Sequence, residues 1–302
     1  MCVVCLTSDI SVRNYHCSSM WSRLSSLRIA LLTLVTMIAF AGNSVLCRLA
    51  LKHTTIDAAT FTSIRLVSGA VVLGLIVRFV RSGRTGTGNW WSALALFAYA
   101  AGFSLAYVSL SAATGALLLF GSVQATMIGR GIWQGERLAH QQWLGLVLAL
   151  AGLVGLMLPG LTAPPLLGAA LMVLAGAAWG VYSLRGKGAG DPTLVTAGNF
   201  WRAAVLALVL SWLTRSSLNW DVDGVAYAVA SGAVTSGLGY ALWYSVLPAL
   251  KATQAATIQL SVPVIAALGG VVFLGEVVSM QFVLASVAIL GGIALVIWGK
   301  RA

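Results

Sequence analysis

Charged residues are scarce in this 302-residue chain. Only 8% of its residues are Asp, Glu, Lys or Arg, whereas about a quarter of a soluble domain is charged. Seven residues are acidic: Asp9 precedes the first apolar segment, and the other six lie between apolar segments or at the end of one. Because 59% of the residues are hydrophobic, a soluble globular domain is excluded for most of the chain.

Sequence signatures of catalysis are absent as well. The chain has no Walker phosphate-binding loop, no Gly-x-Gly-x-x-Gly dinucleotide fingerprint, no His-Glu-x-x-His helix and no Gly-x-Ser-x-Gly turn. Direct use of ATP by this chain is therefore excluded. We predict neither an enzyme activity nor a cofactor.

Cysteine is rare, with four residues in all. Three of them lie near one histidine at the start of the chain: Cys2, Cys5, Cys17 and His16. Their spacing matches no standard zinc-binding pattern, so we predict no metal site.

The first residues of the chain are interpreted in two ways, as a disordered tail or as an over-long start. We expect residues 1–28 to form a disordered tail. Met20 would be a natural beginning, because basic residues follow it directly before the first apolar run. We therefore expect residues 1–19 to be dispensable for insertion and function.

Ten apolar segments make up the rest, and each is long enough, or nearly so, to cross a bilayer. A helix is the only open-chain structure that satisfies its own backbone in lipid. The predicted segments cover residues 29–50, 57–79, 90–109, 112–133, 141–158, 165–183, 194–213, 224–246, 253–274 and 280–298. We predict an all-α polytopic membrane protein with ten transmembrane helices.

Basic residues give the chain a net charge of +11. Most of them flank apolar segments, so we attribute them to membrane topology and anionic lipid, and we expect no nucleic-acid partner. With the N-terminus placed inside, thirteen of the 18 Lys and Arg residues fall on the cytoplasmic side. The other side carries Arg48, Lys52 and Arg215. This bias predicts an even number of helices with both termini in the cytoplasm. We expect a multi-pass protein of the bacterial inner membrane.

The two halves of the chain repeat each other. Gly135-Glu136 before the fifth segment recurs 140 residues later as Gly275-Glu276 before the tenth. Each half, residues 29–158 and 165–298, holds five segments, and an odd number turns the second half upside down in the membrane. Inverted repeats of this kind are typical of alternating-access transporters, whose substrate site lies near the midplane between the halves.

Three short stretches carry a resemblance to a known family: Phe40-Ala41-Gly42-Asn43-Ser44, Ala178-Trp179-Gly180 and Gly135-Glu136-Arg137-Leu138. With the length and the two five-helix halves, they make the sequence resemble the EamA-type ten-helix branch of the drug/metabolite transporter superfamily. The resemblance covers nearly the whole chain from about residue 29. It implies ten helices around a central cavity and the export or exchange of small metabolites.

Two arginines lie inside apolar segments at matching places in the halves. Arg65 follows Asp57 by 8 residues, and Arg202 follows Asp191 by 11, which places them about 12 and 16 Å deep from opposite faces. One interpretation is that both face the cavity and bind an anionic substrate group. The other is structural, in which each satisfies backbone carbonyls or extends to an interface. No carboxylate lies deep in an apolar segment to neutralise them, which favours the first.

Further polar and aromatic residues are candidates for the cavity wall: Asn43, Asn199, Gln124, Trp179, Tyr182 and Tyr240. For Gln124, joining two helices is an equal alternative. Glu136 and Glu276 lie at link–helix junctions, where we expect each to cap the helix that follows. Pro263 in the ninth segment is either a gating kink or a packing feature.

The predicted function is secondary transport of a small organic metabolite, such as an amino acid or another organic anion, by alternating access. The expected partners are this substrate and the lipid bilayer, with the chain as a monomer or a homodimer. The alternatives are an intramembrane enzyme acting on a lipid-linked anion and a membrane scaffold without transport. An enzyme would need a cluster of catalytic groups, which the sequence does not show.

Overall fold

The computed structural model describes residues 26–80, 87–135, 137–158, 163–186, 190–250, 255 and 258–299. Within these ranges the chain forms ten long helices and no strand. They are α1 (Ser26–His53), α2 (Ala58–Val80), α3 (Trp90–Tyr107), α4 (Ala112–Trp133), α5 (His140–Met157), α6 (Leu166–Gly186), α7 (Pro192–Leu213), α8 (Val222–Val229, Ala230–Leu238 and Gly239–Val246 in direct succession), α9 (Ser261–Leu274) and α10 (Met280–Trp298).

Most of these helices are long and apolar enough to cross a membrane. Eight meet this description by length and composition. The other two are α3, with 18 residues, and α9, with 14. Several helices begin at a side chain that accepts a hydrogen bond from their first turn, as expected for Asn, Ser and Asp. These capping residues are Asn89, Ser111, Asp191, Asp221 and Ser279.

Helix α8 changes its winding along its length. Its first part, Val222–Val229, and its last part, Gly239–Val246, are α-helical, and Ala230–Leu238 between them is a π-helix. A π-helical insertion is rare and occurs often at functional sites. The apolar pattern of the sequence does not distinguish the two windings, because both satisfy the backbone internally.

Helix pairing confirms the predicted inverted repeat. Helix α3 packs on α6, and the repeat-related helices α8 and α1 also pack together. Helices α1–α5 correspond in order to α6–α10. The α4–α6 contact therefore has its counterpart in the α9–α1 contact, and the α3–α7 contact has its counterpart in the α8–α2 contact. Helices α2 and α7, and likewise α5 and α10, pack on their own equivalents. If each helix is replaced by its counterpart in the other repeat, every one of these contacts again becomes an observed contact. Two five-helix repeats of opposite orientation require this pattern.

Close packing of α5 on α10 depends on glycine. A Cβ atom at Gly145 would collide with the backbone of Gly292, and one at Gly292 would collide with the backbone of Gly145. At Gly152, two turns further along α5, an added Cβ atom would lie 2.8 Å from the Cβ atom of Ala288 and 3.0 Å from Ile289. Small residues of this kind allow helix backbones to approach each other in membranes.

The links between helices meet at two ends of the bundle. We call the end where α1 begins the N-terminal face and the end where α1 finishes the opposite face. At the opposite face the backbone N–H of Asp57 donates to the carbonyl of Asn219 at 3.1 Å. At the N-terminal face the N–H of Thr87 donates to the carbonyl of Leu194 at 3.0 Å. Contacts of this kind hold the two repeats together at both faces.

The described part of the ninth helix lies within the predicted segment 253–274. Helix α9 spans Ser261–Leu274, the preceding residues Ala255, Ile258 and Gln259 are also helical, and residues 251–254 and 256–257 lie outside the described part. Leu260 forms a turn between Gln259 and α9, with a φ of −66° and a ψ of −15°. Pro263 lies three residues after this turn, so a gating kink and a packing feature both stay predictions for it.

Candidate functional site

A narrow central cavity, with about 10 Å³ available to the centre of a water molecule, lies between the two repeats. Helices α1, α3 and α4 of the first repeat and α6 and α8 of the second contribute to its wall. The lining residues are Phe40, Asn43, Ser44, Tyr99, Phe103, Leu119, Phe120, Trp179, Thr235, Ser236 and Tyr240. The wall is therefore largely aromatic, and it also carries one amide and five hydroxyl groups, two of them on tyrosine rings.

Arg65 lies beside this cavity on α2. The residue is only 3% exposed, and its Nη2 atom donates a hydrogen bond of 2.9 Å to the Tyr99 hydroxyl. The centre of the guanidinium lies 4.7 Å from the ring centre of Phe103, which allows a cation–π interaction. Its Nε and Nη1 atoms are buried without a hydrogen-bond partner. None of the described carboxylates pairs with it, so its charge has no counter-ion in this part of the chain.

Tyr99 connects Arg65 to the cavity wall. Its hydroxyl accepts hydrogen bonds from Arg65 and, at 3.4 Å, from the Nδ2 atom of Asn43. The Oδ1 atom of Asn43 in turn accepts from Ser231 at 2.6 Å. A phenol oxygen has two lone pairs and one proton. Since these two donors use both lone pairs, Tyr99 has only its proton left for a further hydrogen bond.

The π-helical part of α8 brings the second repeat against Arg65. Gly232 lies so close to α2 that an added Cβ atom would collide with the Arg65 carbonyl and the Ser68 hydroxyl. The next residues of this part, Thr235 and Ser236, line the cavity. The unusual winding thus places a backbone contact and two hydroxyl groups on the same side of α8.

Aromatic rings form the apolar part of the wall. The ring of Trp179 stacks on that of Tyr99 with centres 5.3 Å apart and an angle of 23°. Phe40 lies edge-on to Trp179 and contacts Tyr240, with ring centres 6.4 and 5.7 Å apart. Rings packed in this way give a rigid surface on which a flat or apolar group can lie.

Arg202 has a different environment, although its position in the repeat matches that of Arg65. Its Nη1 atom donates to the carbonyls of Gly198 at 2.8 Å and Thr87 at 2.9 Å. Its guanidinium also lies 5.9 Å from the ring centre of Trp90 at the start of α3. The side chain points back along α7 toward the N-terminal face, as helical side chains do. This geometry supports the structural alternative, in which Arg202 satisfies backbone carbonyls near an interface.

Some of the other predicted site residues line the cavity, and the others lie outside it. Asn43, Trp179 and Tyr240 line the cavity. Asn199 is buried but binds the backbone N–H of Asn89 at 3.0 Å, next to the Arg202 contacts. Tyr182 and Gln124 are buried outside the lining set, and the Tyr182 hydroxyl donates to Thr196 at 3.3 Å.

The expected role of Glu276 as a cap for the helix that follows is corrected by the structure. Ser279 caps that helix, α10, by accepting from the N–H of Phe282. Glu276 instead accepts from the N–H of Ala112, the first residue of α4 in the other repeat. The α9–α10 link passes over the start of α4, and sequence order gives no information about that crossing. Glu136 lies outside the described residues.

Tyr99 and Phe103 are site residues that the sequence reasoning missed. A signal for them was present, because Tyr99, Phe103 and Tyr107 follow one another at intervals of four residues. Such spacing places three aromatic rings on one face of α3. Arg65 contacts the first two of these rings.

Comparison with known proteins agrees with this architecture. The sequence pattern of the EamA-like transporter family matches residues 27–158 and again residues 166–298. An uncharacterised protein of Pseudomonas aeruginosa is 55% identical over 271 residues, which cover 89% of this chain and 94% of that protein. The threonine/homoserine exporter RhtA of Salmonella typhimurium is 31% identical over 128 residues, covering 41% of this chain and 43% of the exporter.

A solved crystal structure shares the fold. It superposes with a TM-score of 0.64 at 20% identity, covering 90% of this chain and 98% of the other. The family pattern occurs twice and spans both halves of the helical bundle. The chain is therefore a multi-pass membrane protein that belongs to the EamA-like transporter family.

Proposed function

We propose that this protein is a secondary transporter of the bacterial inner membrane that exports or exchanges small organic anions, including amino acids, without catalytic activity. The substrate binds in the central cavity, which opens alternately to the two sides. The N-terminal face lies in the cytoplasm, as the distribution of Lys and Arg favours. The two inverted repeats that meet at the cavity support this mechanism.

The observation that carries the proposal is the unneutralised charge of Arg65. An ion buried without a partner is costly, and intramembrane ionisable residues commonly mark a substrate pathway. The anionic group of the substrate would lie at the Tyr99 end of the cavity. There the Tyr99 hydroxyl donates to it directly, and Arg65 behind Tyr99 supplies the compensating charge. The rings of Trp179 and Tyr240 would hold the remainder of the substrate.

Ligand binding to purified protein tests the proposal. The match to RhtA, a threonine/homoserine exporter, suggests L-threonine and L-homoserine as the first carboxylate probes, followed by a panel of other amino acids and organic acids. A ligand that binds only the folded state raises the melting temperature, by an amount equivalent to about 2.7 kcal/mol at a hundred times its Kd. Flux of the same solute into proteoliposomes separates a transporter from a scaffold.

Arg65→Gln and Arg202→Gln form a matched pair for this test. We expect a stabilising carboxylate to lose its effect in Arg65→Gln and to keep it in Arg202→Gln, because only Arg65 lies beside the cavity. Arg65→Lys keeps the charge without the planar guanidinium and should retain part of the effect. Unchanged carboxylate affinity in both Arg65 variants would contradict the anion site.

A further inference from the structure

A cluster of charged and polar residues, centred on Arg48 and Glu276, lies between the central cavity and the opposite face. Arg48 follows the lining residue Ser44 by four positions on α1, and Tyr107 follows the lining residue Phe103 by four positions on α3. Four residues advance a helix by about 6 Å. Arg48 and the end of α3 therefore form the layer directly above the cavity on the side of the opposite face.

Arg48 is bound to the end of α3. Its Nη1 atom donates to the carbonyls of Tyr107 at 2.8 Å and Val108 at 2.9 Å. The last carbonyls of a helix carry a partial negative charge, so a cation is favoured there. These bonds hold Arg48 to helices of the first repeat.

Glu276 reaches the same place from the second repeat. Both of its carboxylate oxygens accept from the N–H of Ala112, at 2.9 and 3.1 Å, so the carboxylate faces the positive end of α4. Its own N–H donates to the carbonyl of Gly270, and Gly275 before it has a φ of 62°, a left-handed conformation that favours glycine. The α9–α10 link is thereby bent over the start of α4.

The two charges meet across the repeat boundary. The Nε atom of Arg48 lies 3.5 Å from Oε1 of Glu276, and the two side chains are only 14% and 10% exposed. The Nε atom makes no hydrogen bond, so the contact is an ion pair without a fixed bonding geometry. A mostly buried charge pair of this kind holds its partners together while both are present and leaves an uncompensated charge when one is removed.

We infer that Arg48 and Glu276 form a gate that closes the central cavity toward the opposite face. The inference rests on the proposed alternating access. Opening requires the α9–α10 link with Glu276 to leave Arg48 and the start of α4, after which water replaces Glu276 at both. In the second repeat Arg185 follows Arg48 by 137 positions, and at the N-terminal face it donates to Ser92 and Asn89. The Arg48–Glu276 pair lies at the opposite face, so the gate concerns access from that face.

A thiol-labelling experiment tests the gate without any substrate. Cys2, Cys5, Cys17 and Cys47 are replaced by serine, and the lining residue Ser236 is replaced by cysteine as the reporter. A membrane-impermeant methanethiosulfonate reagent is added to right-side-out vesicles and, separately, to inside-out vesicles. Each preparation exposes one face, so the labelling rate of the reporter measures access to the cavity from that face.

Glu276→Gln keeps the size of the side chain and an acceptor for Ala112 but removes the ion pair. We expect it to raise the labelling rate at least about tenfold, because the closed state loses a mostly buried charge pair. The rise should occur in the vesicles that expose the opposite face and not in the others. Arg48→Gln should give the same one-sided rise, and the double variant should add little to either single variant.

Arg215→Gln is the matched control, because Arg215 is an exposed cation on the same face that contacts Trp212 and lies outside the gate. Its labelling rate should equal that of the parent. The gate is wrong if labelling is unchanged in folded Glu276→Gln and Arg48→Gln, or if it rises equally from both faces. It is also wrong if Arg215→Gln has the same effect. None of these labelling rates depends on Arg65. Unchanged labelling would therefore contradict the gate without contradicting the anion site, and a negative ligand test would contradict the anion site without contradicting the gate.

Discussion

The hydroxyl of Tyr99 accepts a hydrogen bond of 2.9 Å from the guanidinium of Arg65, and this contact joins a buried cation to the wall of the central cavity. The two residues lie on different helices, 34 positions apart. Arg65 keeps two further nitrogen atoms without a partner. Tyr99 therefore connects the charged side chain of Arg65 on α2 to the cavity wall by a hydrogen bond.

Tyr99→Phe should destabilise the protein. Removing the hydroxyl leaves the Nη2 atom of a buried guanidinium without an acceptor, which costs about 1–3 kcal/mol of unfolding free energy. Denaturation of the purified protein in detergent measures this loss. Tyr227→Phe is the control, because the Tyr227 ring packs against the core and its hydroxyl makes no hydrogen bond within the described part of the chain. Equal stability of the two variants would contradict the importance of the Arg65–Tyr99 bond.

Gly232→Ala should also be destabilising, by about 1–3 kcal/mol, the usual cost of overpacking. Its methyl group would collide with the Arg65 carbonyl and the Ser68 hydroxyl and push the π-helical part of α8 away from α2. Gly291→Ala on α10 is the matched control, since nothing lies within 4 Å of a Cβ atom there. That variant should be neutral or slightly stabilising in the same denaturation assay.

Gly88 supports the link before α3 through its backbone conformation. Its φ is 94°, and an added Cβ atom would collide with the Asn199 side chain that binds the N–H of Asn89. Gly190, with a φ of 98°, has nothing within 4 Å. Alanine at either position incurs the left-handed backbone cost of about 1–2 kcal/mol. Gly88→Ala should lower the melting temperature further than Gly190→Ala, and an equal effect would show that the Asn199 contact is unimportant.

Asp57 should give the protein a stability that depends on pH. Partial burial opposes the ionised form, but hydrogen bonds from Thr60, Asn219 and Ala59 outweigh it and lower the pKa of Asp57 below its ordinary value of 3.8. A depressed folded-state pKa stabilises the protein above pH 3.8, and this stabilisation is lost as the pH falls through the folded-state value.

The melting temperature of Asp57→Asn, measured against the parent from neutral to acidic pH, checks this expectation. The variant should be less stable above pH 3.8, and the difference should shrink as the pH falls below it. Asp223→Asn, at an exposed position in the first turn of α8, is the control for the loss of one carboxylate. A difference that is constant with pH would contradict the role given to Asp57.

Sequence reasoning was accurate where the signal is local. Predicted segments 112–133 and 280–298 coincide with helices α4 and α10. Each of these helices begins at a serine cap and consists mostly of apolar residues. The apolar pattern did not reveal the π-helical winding of Ala230–Leu238 in α8. There the backbone depends on neighbouring helices, and hydropathy carries no information about that contact.

The site was predicted less completely. Asn43 and Trp179 line the cavity as expected, whereas Asn199 and Arg202 bind backbone groups at the N-terminal face. In the sequence, Arg65 and Arg202 are equivalent, because each is a cation at a matching depth of an apolar segment. The residues that surround each arginine come from other helices and differ between the two repeats.

The sequence by itself determined the membrane class, the ten helices and the inverted repeat. Hydropathy and link spacing are properties of single segments and of the links between them. In lipid, every segment must also satisfy its own backbone hydrogen-bonding groups. Only the tertiary structure decided that Tyr99 lies against Arg65, that Thr87 lies against Arg202 and that Glu276 crosses to Arg48. These contacts depend on how helices rotate and pack against each other, and the buried residues of several helices together set that arrangement.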